Sequence, residues 1–348
     1  MIPVFDGHND LLFRLWLKNS ATAVSNFIDG EQEGQLDLPR MHDGGFAGGF
    51  FAMFVPSEMG DPALHKTLNP PPYPGVSHQR AKQVTGEMVD LFHRLVREVP
   101  NRGFRACLSV ADMPSAVAEG AIAAILHLEG AEAIGPDLTE LDGLYAAGLR
   151  SIGPVWSRPN IFGEGVPFAW PSSPNTGAGL TEAGRALIKA CNVKRIMIDL
   201  SHLNEAGFWD VAKLSNAPLV ATHSNAHALS PSSRNLTDEQ LRAIGQSKGM
   251  AGLNYAIDFL QSDGLLRSNI APEVLVRHLD HMISLAGEDC VGLGSDFDGA
   301  TVPDFLHDVT GLPKLVEAMR KGGFGEKLIA KLTHENWLRV LDLIWGQP

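Results

Sequence analysis

Arg195-Ile-Met-Ile-Asp-Leu-Ser201 is a mainly apolar run that ends on His202, and Leu219-Val-Ala-Thr222 is a second that ends on His223. Short runs of this kind, closed by a polar residue and separated by helical periodicity, mark a parallel strand–helix–strand architecture. Working outward, the same alternation recurs at Pro3–Asp6, Gly48–Val55, Ala123–Glu129, Leu149–Trp156, Met250–Tyr255 and Val291–Ser295. Together these eight strands predict a closed (β/α)8 TIM barrel rather than an open sheet, read as one domain over residues 1–348.

The helices between the strands carry clearer signals. Val84, Met88, Leu91, Phe92, Leu95 and Val99 fall on one helical face. Thr237-Asp-Glu-Gln240 reads as a capping box, with Leu241 and Ile244 facing inward. The run Pro272–Ala286 predicts a helix stopped by Gly287. Two connections are long, Pro56–His78 and the Pro-, Gly- and Asn-rich Ser157–Leu180. They read either as walls over the carboxyl face of the barrel or as surface ornament.

Composition narrows the function classes. Lys and Arg total 28 against 40 Asp and Glu, a formal net charge of −12, which argues against a nucleic-acid surface. Hydrophobic residues at 44% and charged residues at 20% describe a folded globular chain. Cys107, Cys191 and Cys290 are far apart and odd in number, so neither a disulfide framework nor a cysteine zinc site is expected. With no signal-like start and no apolar run of about 18 residues, the expectation is a cytoplasmic protein without a membrane partner.

In a TIM barrel the reactive groups sit at the carboxyl ends of the strands. Here those ends carry His8-Asn9-Asp10, Glu129, Ser201-His202, Thr222-His223 and Asp296-Phe297-Asp298. His8 and Asp10 are two apart and share one strand face, a bidentate grip that suits zinc, with manganese, iron or cobalt as substitutes. Taken singly, Glu129 reads equally as a buried salt bridge, and His202 or His223 as a core histidine. As a set the five exceed what one open zinc site needs and suit two metals about 3.5–4 Å apart bridged by a carboxylate.

Asp296 is left as the candidate general acid or base. Asp298 reads as structural. Arg234 has the planar fork for a substrate carboxylate, or makes a surface salt bridge. His227 is a spare ligand or a supporting group, and His278 and His281 read as solvated or packing residues on an outer helix. No Walker, Rossmann, serine-hydrolase or His-Glu-x-x-His motif is present in the sequence.

Seven ordered segments resemble the membrane (renal-type) dipeptidases, peptidase family M19, among the amidohydrolase-like TIM barrels. They are Asp6-Gly-His-Asn-Asp10, Leu128-Glu-Gly130, Asp199-Leu-Ser-His202, Thr222-His-Ser224, Arg234-Asn235, Gly294-Ser-Asp-Phe-Asp-Gly299 and Glu335-Asn-Trp-Leu-Arg-Val340. The resemblance implies two Zn2+ per subunit, one on His8 and Asp10, the other on His202 and His223, with Glu129 bridging. It further implies that a bridging hydroxide attacks the peptide bond of a dipeptide, with Asp296 as acid/base. Arg234 would hold the substrate carboxylate, a D-residue would be tolerated at the C-terminal position, and the enzyme would be a homodimer.

One departure stands out. Members of the family usually carry a histidine at the end of the fourth strand, where this chain has Trp156, and no histidine lies between His127 and His202. Either Arg158, Asn160 or His127 makes the missing contact to the scissile carbonyl, or the substrate is an N-acyl amino acid, a lactone or another small amide. A catalytically dead metal-binding relative is a third reading, opposed by the intact set of ligands.

Overall fold

The structure, a computed structural model, describes residues 2–31, 33–57, 69–70 and 72–346. Five strands, β1 (Val4–Asn9), β2 (Phe46–Phe54), β4 (Ile122–Glu129), β5 (Leu149–Gly153) and β6 (Met197–Ile198), follow one another in a parallel sheet. β7 (Val220–Ala221), β8 (Met250–Leu253) and β9 (Val291–Leu293) form a second. Parallel bridges at Asp199–Val220 and Asn9–Phe297 join the two sheets at both seams and close the barrel. Helices cover the outside, so β1 and β4 are buried along their whole length, which is why such strands read as apolar runs.

The eight strands read from the sequence are the eight of this ring, with shifted ends. β1 continues to Asn9 rather than stopping at Asp6, and β5 stops at Gly153 rather than Trp156. Pro154 has no N–H for the ladder, so the chain leaves the sheet there. One further strand, β3 (Phe104–Ala106), was not expected. It pairs with Ile122–Ala124 of β4, on the edge that β5 occupies at Leu126–Glu129. Three residues containing an arginine carry too little pattern to be recognised.

Two clusters of side chains fill the fold. The larger one lies between strands and helices. The smaller fills the amino end of the barrel interior with Phe5, Phe50, Ile125, Met197, Val220 and Met250 around Trp337. Trp337 comes from the last helix, Asn336–Trp345, and its indole N–H donates to Leu293 O at 3.0 Å. Gly7 makes room for the ring, since a Cβ there would lie 2.6 Å from Trp337 Cζ2.

The helical signals are borne out. A helix spans His78–Glu98, with Val84, Met88, Leu91, Phe92 and Leu95 buried. Both halves of the Thr237 capping box are formed, and Pro272–Ala286 ends at Gly287. The three cysteines are free and buried. Among the described residues no helix is long and apolar enough to cross a membrane.

Candidate metal centre and active site

The carboxyl end of the barrel gathers donors that the strands deliver from distant parts of the chain. Glu129, last residue of β4, sets its Oε1 2.9 Å from His202 Nε2 and 3.6 Å from the Nε2 atoms of both His8 and His223. Asp10 Oδ2 lies 3.3 Å from His8 Nε2. Besides His8–His223–Asp296, two groups of potential ligands form here, His8–Asp10–Glu129 and Glu129–His202–His223, each with its donor atoms within 4.8 Å of one another. They share Glu129.

Local backbone serves this convergence. Asp10 stands at the start of helix Leu11–Lys18, yet its carboxylate makes no capping hydrogen bond, so both oxygens are available to the site. His202 (φ 67°) and Asp296 (φ 62°) adopt the left-handed conformation, uncommon for side-chain-bearing residues and concentrated at functional sites. Asp296 is fixed by its own N–H to His8 O at 3.0 Å and by Asn254 Nδ2, which donates to Asp296 Oδ2 at 2.8 Å.

The donor set fits a divalent cation. His8 is completely buried, and among the described residues neither ring nitrogen makes a hydrogen bond, so its nearest polar neighbours are the two acids. Burial, reinforced by Asp10 and Asp296, pushes the Glu129 carboxyl well above the usual carboxylate range. Burial, with His8 and Arg234 nearby, pulls His223 well below the usual imidazole range, so it holds the neutral form that binds metals. Burial pulls His8 down, but Glu129, Asp10 and Asp296 outweigh it and raise its imidazole to about 10. A proton on His8 thus supplies among these buried carboxylates the positive charge that a bound cation would supply in its place.

Arg234 enters the same site and is 3% exposed. Its Nη2 lies 3.2 Å from His202 Nε2 and donates to His223 O at 3.2 Å, and its guanidinium lies over Phe259, 5.3 Å from the ring centre. Burial lowers it to about 10, so it remains a cation at neutral pH. Its Nε has no partner. A narrow cleft opens over Asp10, Glu129, His202 and Asp296 between aromatic walls that include Phe54, Trp156, Phe168 and Phe259.

Trp156 belongs to that wall, with ring centres at 4.7 Å from Tyr73, 4.9 Å from Phe54 and 5.8 Å from His202. Phe168 and Tyr73 come from the two long connections, so both contribute to the carboxyl face; residues 58–68 and 71 of the first lie outside the described residues.

The other expected contacts are placed elsewhere. Arg158 is buried behind Trp156, where Nε donates to Glu132 Oε1 at 2.8 Å and Nη2 to Val55 O at 2.7 Å. Asn160 donates through Nδ2 to Pro154 O and accepts from Phe162 N, both at 2.8 Å, which ties its amide to its own loop. Neither lines the cleft. His227 turns away to Ser172 O at 2.9 Å. His278 packs inside with Nε2 3.0 Å from Leu260 O, and His281 meets Asp238 at 2.9 Å. Asp298 holds neighbours, accepting from Arg14 Nε at 2.7 Å and Gln35 N at 2.6 Å.

Asn254 and the aromatic walls other than Trp156 were not singled out from the sequence. For Asn254 a signal existed: it is a polar residue near the end of the run Met250–Tyr255. The walls gave none, because their members are spread over the whole chain.

The membrane dipeptidase family, peptidase family M19, matches residues 1–344. A metallopeptidase of Rhodobacter sphaeroides, solved with a phosphinate mimic of the dipeptide L-Ala-D-Ala, is 53% identical, with a TM-score of 0.95 and 99% of each chain covered. A protein encoded in the pqqA 5' region of Klebsiella pneumoniae is 50% identical over 243 residues, 70% of this chain and 90% of its own length. A probable dipeptidase of Pseudomonas aeruginosa, at 23% identity, shares the fold with a TM-score of 0.82 over 99% of this chain and 96% of its own.

Proposed function

The chain belongs to the membrane dipeptidase family, peptidase family M19, and is a metallo-dipeptidase; from that premise we propose a two-zinc site at the carboxyl end of one barrel domain spanning residues 1–348. His8 and Asp10 would hold one ion and His202 and His223 the other, with Glu129 the carboxylate common to both groups of donors. The observation that carries this reading is the position of Glu129 Oε1, within 3.6 Å of three histidine Nε2 atoms belonging to the two groups of donors. When bound, such ions polarise a carbonyl and make water a nucleophile at neutral pH.

The remaining chemistry falls to side chains. Asp296 accepts the proton of the attacking water and returns it to the leaving amine, while Asn254 keeps its carboxylate aimed at the cleft. Arg234 pairs with the carboxylate of the dipeptide, supported by its burial, its charge and its unpartnered Nε. Trp156 and its aromatic neighbours exclude water and bound the space for substrate side chains. A D-residue at the C-terminal position is tolerated, a reading supported by the L-Ala-D-Ala mimic bound to the Rhodobacter sphaeroides relative. A cytoplasmic homodimer completes the proposal, on the family resemblance alone.

A second reading keeps the metal site and changes the substrate to an N-acyl amino acid, a lactone or another small amide; Trp156 in the place of the family's histidine favours it. Zinc-loaded protein is assayed against L-X-L-Y and L-X-D-Y dipeptides beside the N-acyl amino acids. Dipeptide cleavage by the loaded protein supports the first reading. Cleavage of N-acyl amino acids with dipeptides untouched replaces it by the second.

A further inference from the structure

Beneath the donors lies a polar layer that this mechanism leaves without a role: His127, Asp199 and Thr222. His8, His127 and Asp199 each bring one donor atom within 4.8 Å of the others, which is also how a third cation site would look. The hydrogen bonds of Asp199 point elsewhere. Its Oδ1 accepts from the backbone N–H of Ser201 at 3.0 Å and of Thr222 at 2.9 Å, and its Oδ2 accepts the Thr222 hydroxyl at 2.6 Å.

A threonine has one hydroxyl hydrogen, and here Asp199 receives it. Thr222 Oγ1 is also 2.8 Å from His223 Nδ1, so the hydroxyl oxygen accepts there and Nδ1 carries the ring proton. His223 Nε2, facing Glu129 and His202, thereby keeps its lone pair. We propose that Asp199 and Thr222 act as a positioning relay that fixes His223 in the tautomer able to ligate through Nε2. The relay rests on the two-ion reading above.

Its surroundings suit the task. His127 closes the layer from the far side, with Nε2 3.6 Å from Asp199 Oδ2 and Nδ1 2.8 Å from Ser151 Oγ. His202 has its own hydroxyl neighbour, Ser157 Oγ, 2.7 Å from Nδ1. His8 Nδ1 has none, so orientation by hydroxyls is confined to the His202–His223 half of the centre.

The relay makes a directional prediction. In Asp199→Asn the two backbone N–H groups pin the amide oxygen in the place of Oδ1, so the NH2 faces Thr222 Oγ1. The Thr222 hydroxyl then donates to His223 Nδ1, and the ring proton moves to Nε2. Thr222→Val removes the relay at nearly constant volume, and Thr222→Ser retains it. Metal-free wild type and variants are titrated with Co2+ by calorimetry, with melting by circular dichroism as the check on folding.

Wild type is expected to bind two equivalents. Asp199→Asn and Thr222→Val keep one at wild-type affinity and weaken the other by about 10–100-fold, and Thr222→Ser restores it. Nitrogen-15 NMR of the metal-free proteins reads the tautomer directly, with the proton on His223 Nδ1 in wild type and on Nε2 in Asp199→Asn. Variants that bind both equivalents as wild type does, or an unchanged tautomer, overturn the relay and leave the two-ion reading standing. A wild type that binds only one equivalent overturns that reading, and the relay with it.

Discussion

The two ends of the barrel interior are built from the same eight strands and have opposite characters. At the amino end Phe5, Phe50, Met197 and Met250 surround Trp337, whose one polar atom is paired with Leu293 O. At the carboxyl end His8 is as deeply buried as Trp337, yet among the described residues its nitrogens make no hydrogen bond and two acids crowd it. Left-handed backbone at that end falls on His202 and Asp296, which face the site, and on Asp298. One layer is almost wholly apolar around a hydrogen-bonded indole, and the layer a few residues further along the same strands crowds charged and polar groups together. Stability and reactivity are thereby separated along the barrel axis, with the Asp199–Thr222–His127 layer between them.

Substitutions at the two ends break or sharpen this contrast. Asp296→Asn removes the proton acceptor while keeping its shape, so kcat on a cleaved dipeptide falls by about 10²–10⁴-fold with the melting temperature unchanged. Steady-state kinetics beside a thermal melt check both halves. Trp337→Ala does the reverse: it empties the amino end and costs about 3–5 kcal/mol of stability in a urea titration, while kcat of the folded fraction is retained. A large loss of kcat in the second variant would mean that the ends are not separable.

Arg234→Met deletes a charge-assisted contact worth about 2 kcal/mol, roughly a 30-fold rise in KM if it holds the substrate carboxylate. A C-terminally amidated dipeptide should show little further loss in that variant. The smallest effect concerns His278, which burial pulls down to about 4 from its ordinary 6.5. The unfolded chain therefore takes up this proton first. The contribution is fully present above pH 6.5 and is lost as pH falls towards 4, at up to about 1.4 kcal/mol per pH unit. Urea midpoints of wild type and His278→Gln, compared across that window, should differ in slope and run parallel above pH 7.

The contrast also explains what was readable in advance. Strands buried on both faces appear as apolar runs, and period-two alternation puts His8 with Asp10 and carries Glu129 to a strand end, so ring and donors were visible together. β3 was not, because Phe104–Ala106 is too short and carries Arg105. Contacts made by loops were the least legible. Arg158 and Asn160 follow Trp156 closely in sequence, but the turn at Pro154 sends one guanidinium to Glu132 and folds the other amide back on its own loop. His227 is four residues past His223 and is carried off to Ser172. Side-chain direction in a loop depends on tertiary hydrogen bonds that no local spacing encodes.

The central claim is that Glu129 joins two metal positions. Anomalous diffraction at the zinc edge from crystals of the zinc-loaded protein tests it most directly. Two peaks flanking Glu129, one against His8 and Asp10 and the other against His202 and His223, are the predicted result. A single peak, or zinc bound away from Glu129, would contradict the account.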